Sequence, residues 1–302
     1  MASEKSIKIV SSLIEKIGDV PEIFTDGFKY SCMGGEEFPY TLHVAKYDED
    51  WYEKSNQLIS LTDEGVFVFE VVNDQAKLTN YAYEDIIFLK RMDFAKTAKL
   101  VIKGTSNRKL YESGIEYDIK DKQLFEFIVV SVRLKEKLPE TFQEEKEESL
   151  TEDSYELLKL AYFKDSHVKL YNYAVGSLLN DQKIKKTLLQ SKVFRKNLLV
   201  FRKRVARTHL VILAGSELII IEEGKHSKKR PDVNEGGYWC YIPVSSIASM
   251  DIRAEDGYLL ILTIRLRERV SLELYFDSNL RLQLEQLVKS TLSVYNEIKE
   301  ES

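Results

Sequence analysis

The chain has 302 residues, is 44% hydrophobic and 31% charged, and carries a net charge of −5. That length makes about two domains, and the composition excludes a mostly disordered, collagen-like or disulfide-framework protein. Two cysteines, Cys32 and Cys240, point to a reducing compartment without structural bridges. With no basic-then-apolar leader and no membrane-length apolar run, the expected location is the cytoplasm, at most peripheral to a membrane.

The charge is divided. Residues 1–136 carry 18 Lys/Arg against 24 Asp/Glu, residues 137–153 carry 2 against 7, and residues 154–302 carry 24 against 18. Leu138-Pro-Glu-Thr-Phe-Gln-Glu-Glu-Lys-Glu-Glu-Ser149 has few apolar residues and mutually repelling carboxylates, so it reads as an exposed linker. The other reading is the start of a charged helix, since Glu and Gln are good helix formers. The division predicts a first domain over 1–138, a linker over 139–153 and a second domain, led by helices, over 154–302.

In chain order, Ile7, Val10, Leu13 and Ile17 recur at helical spacing before Gly18, which predicts a helix over Glu4–Ile17. Phe24–Tyr52 reads as irregular and aromatic, with Gly34-Gly35 as a turn and Pro39 as a breaker. Gln57–Leu61 and Val66–Val72 flank Thr62-Asp-Glu-Gly65 as a hairpin. Tyr83–Leu89, Lys99–Lys103 and Ile115–Ile119 read as strands, and Leu124–Leu134 as a helix. Two helices, Ser154–Tyr162 and His167–Leu179, then lead into the second half. There Leu210–Leu213 and Leu218–Ile221 form a hairpin, followed by strands over Tyr241–Ile252, Leu259–Ile264 and Val270–Tyr275. A closing helix capped by Asp277 or Ser278 carries the stripe Leu280, Leu284, Leu287/Val288, Leu292, Tyr295 and Ile298.

The halves therefore repeat one plan, short antiparallel strands closed by a C-terminal helix whose apolar stripe covers the open end of a bent sheet. Leu58–Phe69 and Leu210–Ile221 resemble the leading hairpin of pleckstrin-homology-like and GRAM-like domains. Tyr83-Glu-Asp-Ile86 and Ile242–Ile247 resemble the segment that follows it. The resemblance, to tandem proteins of this kind from bacteria, covers roughly 55–138 and 195–298. It implies an α+β fold of two tandem bent sheets or barrels, each closed by its last helix, with helices between them. That scaffold serves lipid headgroups, peptides and assembly alike, so it implies a fold more firmly than a function.

Gln182–Ser216 holds ten basic residues and no acidic one: Lys183, Lys185, Lys186, Lys192, Arg195, Lys196, Arg202, Lys203, Arg204 and Arg207. Phe194, Leu198-Leu-Val-Phe201, Val205 and Leu210 are interleaved, as if to tether the segment to the core while the cations face out. Such a surface attracts phosphates, from lipid headgroups or nucleic acid. A second cluster, Lys225-His-Ser-Lys-Lys-Arg230, follows Ile221. The resemblance places Lys225, Lys228, Lys229 and Arg230 near an anion site, although Ala214-Gly-Ser-Glu217 lacks the cation of the family's first hairpin. A charge run is also the ordinary form of a solvated face, and the acidic first half offers an internal partner. Beyond these, the external partners are an acidic protein or a second copy of the chain first, then an anionic membrane. A pI of about 5.7 sets nucleic acid last.

Common catalytic signatures are missing. His43, His167, His209 and His226 show no metal-ligand spacing with one another or with the cysteines, and the P-loop, dinucleotide, zincin and nucleophile-elbow patterns are absent. No cofactor or metal is expected. Carboxylates such as Asp48 and Asp50 serve chemistry only if burial separates their pKa values. The aromatic groups Tyr30, Phe38, Tyr40, Tyr47, Trp51, Tyr52 and Tyr238, Trp239, Tyr241 suit core packing or an interface. The expected function is a non-catalytic binding or assembly module, with a homo-oligomer subunit or an enzyme with an interdomain site as alternatives.

Overall fold

Val66-Phe-Val-Phe69 and Leu218-Ile-Ile-Ile221 are apolar at every position, a pattern that strands show when both faces are covered. The computed structural model of the chain supplies both covers. It describes residues 7–35, 37–48, 53–135, 155–180, 182–197, 201–224 and 236–301. The chain divides into two units, Met1–Phe142 and Gln143–Ser302. Each is α+β, with antiparallel sheets and few helices.

In the first unit, β1 (Lys8–Ile14), β2 (Tyr40–Tyr47), β3 (Glu53–Leu61), β4 (Gly65–Val72) and β5 (Gln75–Ala82) form an antiparallel sheet in sequence order. A second meander joins β6 (Ile86–Asp93), β7 (Thr97–Ser106) and β8 (Lys109–Asp118). Helix α1 (Glu22–Cys32) seats Phe24, Phe28 and Cys32 on Leu58, Phe67 and Phe69, covering one face of β3 and β4. The residues of the other face, Ile59, Leu61, Val66 and Val68, are buried as well. Helix α2 (Lys122–Leu134) stacks Phe125 on Tyr117 of β8 at 3.8 Å and sets Phe127 at a tilt against Tyr40 of β2 at 4.3 Å, so it reaches both sheets. Asn73-Asp74 and Asn107-Arg108 take left-handed backbone in the two-residue turns β4–β5 and β7–β8, a geometry asparagine tolerates. Gly65 (φ +152°) is required where it stands, since a Cβ would meet the Tyr81 carbonyl oxygen at 2.1 Å.

In the second unit, α3 (Tyr155–Ser166) packs on β9 (Ile184–Gln190), and α4 (Val168–Val175) packs on β12 (His209–Ala214) and β13 (Glu217–Glu223). With β14 (Gly237–Pro243), these strands pair antiparallel in the order β9, β12, β13, β14. Between β9 and β12 stands a separate hairpin of β10 (Val193–Asn197) and β11 (Phe201–Ala206). The meander β15 (Ile247–Asp256), β16 (Leu259–Leu266) and β17 (Ser271–Asp277) precedes α5 (Arg281–Glu301), which touches β9, β12 and β15.

The two units repeat one order of elements. β2 to β5 correspond to β9 and β12 to β14, and β6 to β8 correspond to β15 to β17. A 3-10 turn (Tyr83–Asp85, Val244–Ser246) joins the two meanders in each. The second meander then starts with a register shift, between Ile86 and Phe88 and between Ile247 and Ser249. Each ends at an aspartate, Asp118 or Asp277, whose carboxylate accepts from the amide two residues on and so caps the turn into the last helix.

Several sequence expectations change. Among the described residues no sheet closes into a barrel: within the first unit the ladders run from β1 to β5 and from β6 to β8, with no pairing between them. Residues 8–14 form a strand and not a helix. β2 supplies a partner for every backbone group on one side, and the β-branched Ile9, Val10 and Ile14 suit a strand. The irregular stretch contains α1 and β2, Tyr83–Leu89 is a 3-10 turn followed by β6, and β5, β9, β10 and β11 were not expected as strands. On α5 the buried stripe is Leu284, Leu287, Thr291 and Val294, while Leu292 is exposed. Thr291 joins that stripe because its hydroxyl donates to the Leu287 carbonyl.

Candidate functional site: a basic hairpin

The connection from β9 to β12 is where the basic run folds. Antiparallel register sets Arg195 opposite Lys203 and Lys196 opposite Arg202, with Arg204 opposite Phe194. Like charges directly opposite each other destabilise a β-pair, and residues 182–216 contain no carboxylate to offset them. The hairpin stands against β17. Val193 is buried and anchors its base, but Phe194 is 50% exposed, so it does not tether the arm as expected. Arg204 is exposed.

The other expected residues do not join this group. Lys185, on β9, donates to Glu297 of α5 at 3.1 Å, and this bond holds the Glu297 carboxyl below the usual range. Lys186 is half-buried, opposite Leu213. Arg207 lies with its guanidinium 5.0 Å from the Tyr238 ring centre, a cation–π contact. Lys228, Lys229 and Arg230, with Lys225, lie outside the described residues.

Topology nevertheless brings the bases of the two basic segments together. In an antiparallel meander the first and third connections leave from the same end of the sheet. Accordingly Glu223 donates its amide to Thr208 at 3.1 Å, and Gly224 donates to Gly236 at 3.2 Å. The feet of the hairpin and of the 225–235 connection are thus adjacent.

Residues that the sequence did not single out hold the hairpin's base. Gln190 ends β9 and stands opposite His209, the first residue of β12. Its Oε1 accepts from the Asp277 amide at 2.7 Å, and its Nε2 donates to the Ser191 carbonyl at 2.8 Å. His209 is 2% exposed, its Nδ1 lies 3.0 Å from the Arg207 carbonyl oxygen, and its ring meets Phe276 edge-on at 4.9 Å. Burial pushes its pKa down, against smaller opposing effects of that hydrogen bond and of Glu222. Nothing local signals this, because Phe276 lies far along the chain.

Elsewhere the ionisable groups serve structure. Arg91, 5% exposed on β6, donates from Nη1 to both oxygens of Glu126 at 2.9 Å, and its Nε lies 3.2 Å from Asp93. Lys122 stands 3.6 Å from Asp93, so the cluster ties α2 to the second meander. Burial pushes the Cys32 thiol up to about 12, which leaves it protonated and inert at neutral pH. His43 lies 2.7 Å from Asn56. Of the aromatic groups, Tyr40, Trp239 and Tyr241 are buried, whereas Tyr30 is exposed. Among the described residues, no three His, Cys, Asp or Glu side chains are grouped to hold a metal ion, and no helix is long and apolar enough to cross a membrane. No protein-family model matches this chain, and no curated protein matches it.

Proposed function

We propose that this chain is a non-catalytic binding module of two tandem pleckstrin-homology-like repeats, at 1–138 and 154–302, and that the β10–β11 hairpin docks on an acidic protein partner. One observation carries the reading: the register that sets cation against cation, Arg195 with Lys203 and Lys196 with Arg202. A hairpin with opposed like charges is disfavoured on its own and gains when a polyanion neutralises them. The adjacent feet of the two basic segments support it, because both leave from one end of the sheet. Phe194, half exposed beside these cations, favours a second reading, an anionic membrane whose interface accepts an aromatic ring.

The test compares the wild-type chain with Arg202→Glu/Lys203→Glu/Arg204→Glu for binding to poly-glutamate and to phosphatidylserine vesicles. At about 1 kcal/mol per cation, the triple reversal should weaken poly-glutamate binding by more than about 100-fold, and added salt should weaken the wild type. Wild-type binding to vesicles alone moves the reading to the membrane. Equal binding by wild type and variant to both probes removes the hairpin from the function.

A further inference from the structure

We infer that His209 makes the seat of the basic hairpin acid-labile, holding the arm in place at neutral pH and loosening it on acidification. The inference rests on the preceding reading only for its consequence, a change in binding; the seat itself is a matter of geometry.

The arm joins the sheet through two chain crossings, Gln190 to Val193 and Ala206 to His209. Their last common rung is the pair Gln190 and His209. The imidazole is buried and gives one nitrogen to the Arg207 carbonyl, inside the very crossing that leads to the arm. Its second nitrogen, Nε2, is buried and has no hydrogen-bond partner among the described residues. A neutral ring with Nδ1–H donating leaves only an acceptor lone pair at Nε2, which is a modest cost. A protonated ring adds a second N–H and a charge there, with no hydrogen-bond partner among the described residues and the Phe276 ring at its side. That cost is much larger.

The charged groups around the ring do not remove it. Glu222 of β13 stands opposite in register and is half-buried; it favours the cation, but less strongly than burial opposes it. On β17 the Asp277 carboxylate already accepts from the Asn279 amide, and on β9 the facing residue is the neutral Gln190. Arg207, in the crossing, lies on Tyr238.

The direction follows. The folded seat binds the proton less readily than the opened one, so its stability is full above the ordinary histidine value of 6.5 and falls as pH drops below it. Opening should rise by about tenfold per pH unit in that range.

Hydrogen exchange between pH 7.5 and 5.0, corrected for the intrinsic rate, reads the seat directly. Wild type should lose protection at 208–211 by about tenfold per unit below 6.5, while His209→Gln and His209→Phe should show no such dependence. Protection that ignores pH in the wild type, or that falls alike in wild type and either variant, overturns the inference. In the wild type alone, the His209 ring signal should stay that of the neutral form for as long as the seat is protected. A ring that titrates at 6.5 while the seat stays closed overturns it too. Poly-glutamate binding measured in the same series reports separately on the binding reading: a pH-dependent seat with no binding condemns that reading and not the seat.

Discussion

The same connection is built in opposite ways in the two repeats. Between β2 and β3 the chain crosses over residues 48–52, Asp-Glu-Asp-Trp-Tyr; between β9 and β12 it takes residues 191–208, with seven of the ten cations and a hairpin of its own. The third connection differs likewise: Asn73-Asp74 makes a two-residue turn in the first repeat, and residues 224–236 span the gap in the second. The sheets and closing helices keep their order, so the scaffold tolerates long insertions at one end, where loop closure costs grow only slowly with length.

Internal charge differs in the same sense. The sixth residue of β6 is Arg91, buried against Asp93 and Glu126; the sixth residue of β15 is Ile252. Eight residues beyond the capping aspartates stand Glu126 and Glu285, and Glu285 faces Arg281 at 3.8 Å on the surface of α5. The first repeat thus buries an arginine between two carboxylates where the second has Ile252 and a surface ion pair. A buried arginine fixes one geometry for α2, whereas an exposed i,i+4 pair on α5 constrains little.

The largest expected effect lies in the first repeat. Arg91→Ala removes the nearer counterion of Asp93, a residue 7% exposed, and leaves it only Lys122 at 3.6 Å; it should cost about 3 kcal/mol in urea unfolding of the full chain. A change below about 1 kcal/mol would erase the contrast drawn from that cluster. A smaller effect is expected from replacing residues 191–208 by a short polar turn like that of the first repeat. Loop shortening changes closure entropy by about 1 kcal/mol or less, so the second unit should melt almost as before while poly-glutamate binding disappears. Loss of the β9–β12 pairing by circular dichroism and hydrogen exchange would show that the hairpin builds the sheet and does not merely stand on it. The smallest belongs to Lys185→Ala. Both partners of its pair with Glu297 are substantially exposed, so the loss should leave the unfolding midpoint almost unchanged, and what change there is should shrink with added salt.

Much of the plan was legible in the chain. Leu58–Phe69 and Leu210–Ile221 declared hairpins through continuous apolar runs around short polar turns, and Asp277 with the Leu284 and Leu287 stripe declared α5. Ile7, Val10 and Leu13 misled, because a three-residue spacing reads as a helix face, while Val10 and Leu13 are exposed on a strand whose backbone is satisfied by β2 and Ile7 is exposed just before it. The basic run was visible as composition but not as a site. Only the fold sets Arg195 and Lys196 opposite Lys203 and Arg202 in register, and sends Lys185 to Glu297 and Arg207 to Tyr238.

By itself, then, the sequence determined the antiparallel α+β class, the repeated order of hairpin, meander and final helix, and the excess of positive charge in the second half. These follow from local periodicity and composition, which each segment carries alone. Tertiary structure decided that the leading sheets are covered on both faces, that Arg91 is buried while the hairpin's cations stand opposed, and that His209 lies sealed beneath Phe276. Burial and pairing depend on partners distant in the chain, and no local pattern encodes a neighbour that only folding supplies.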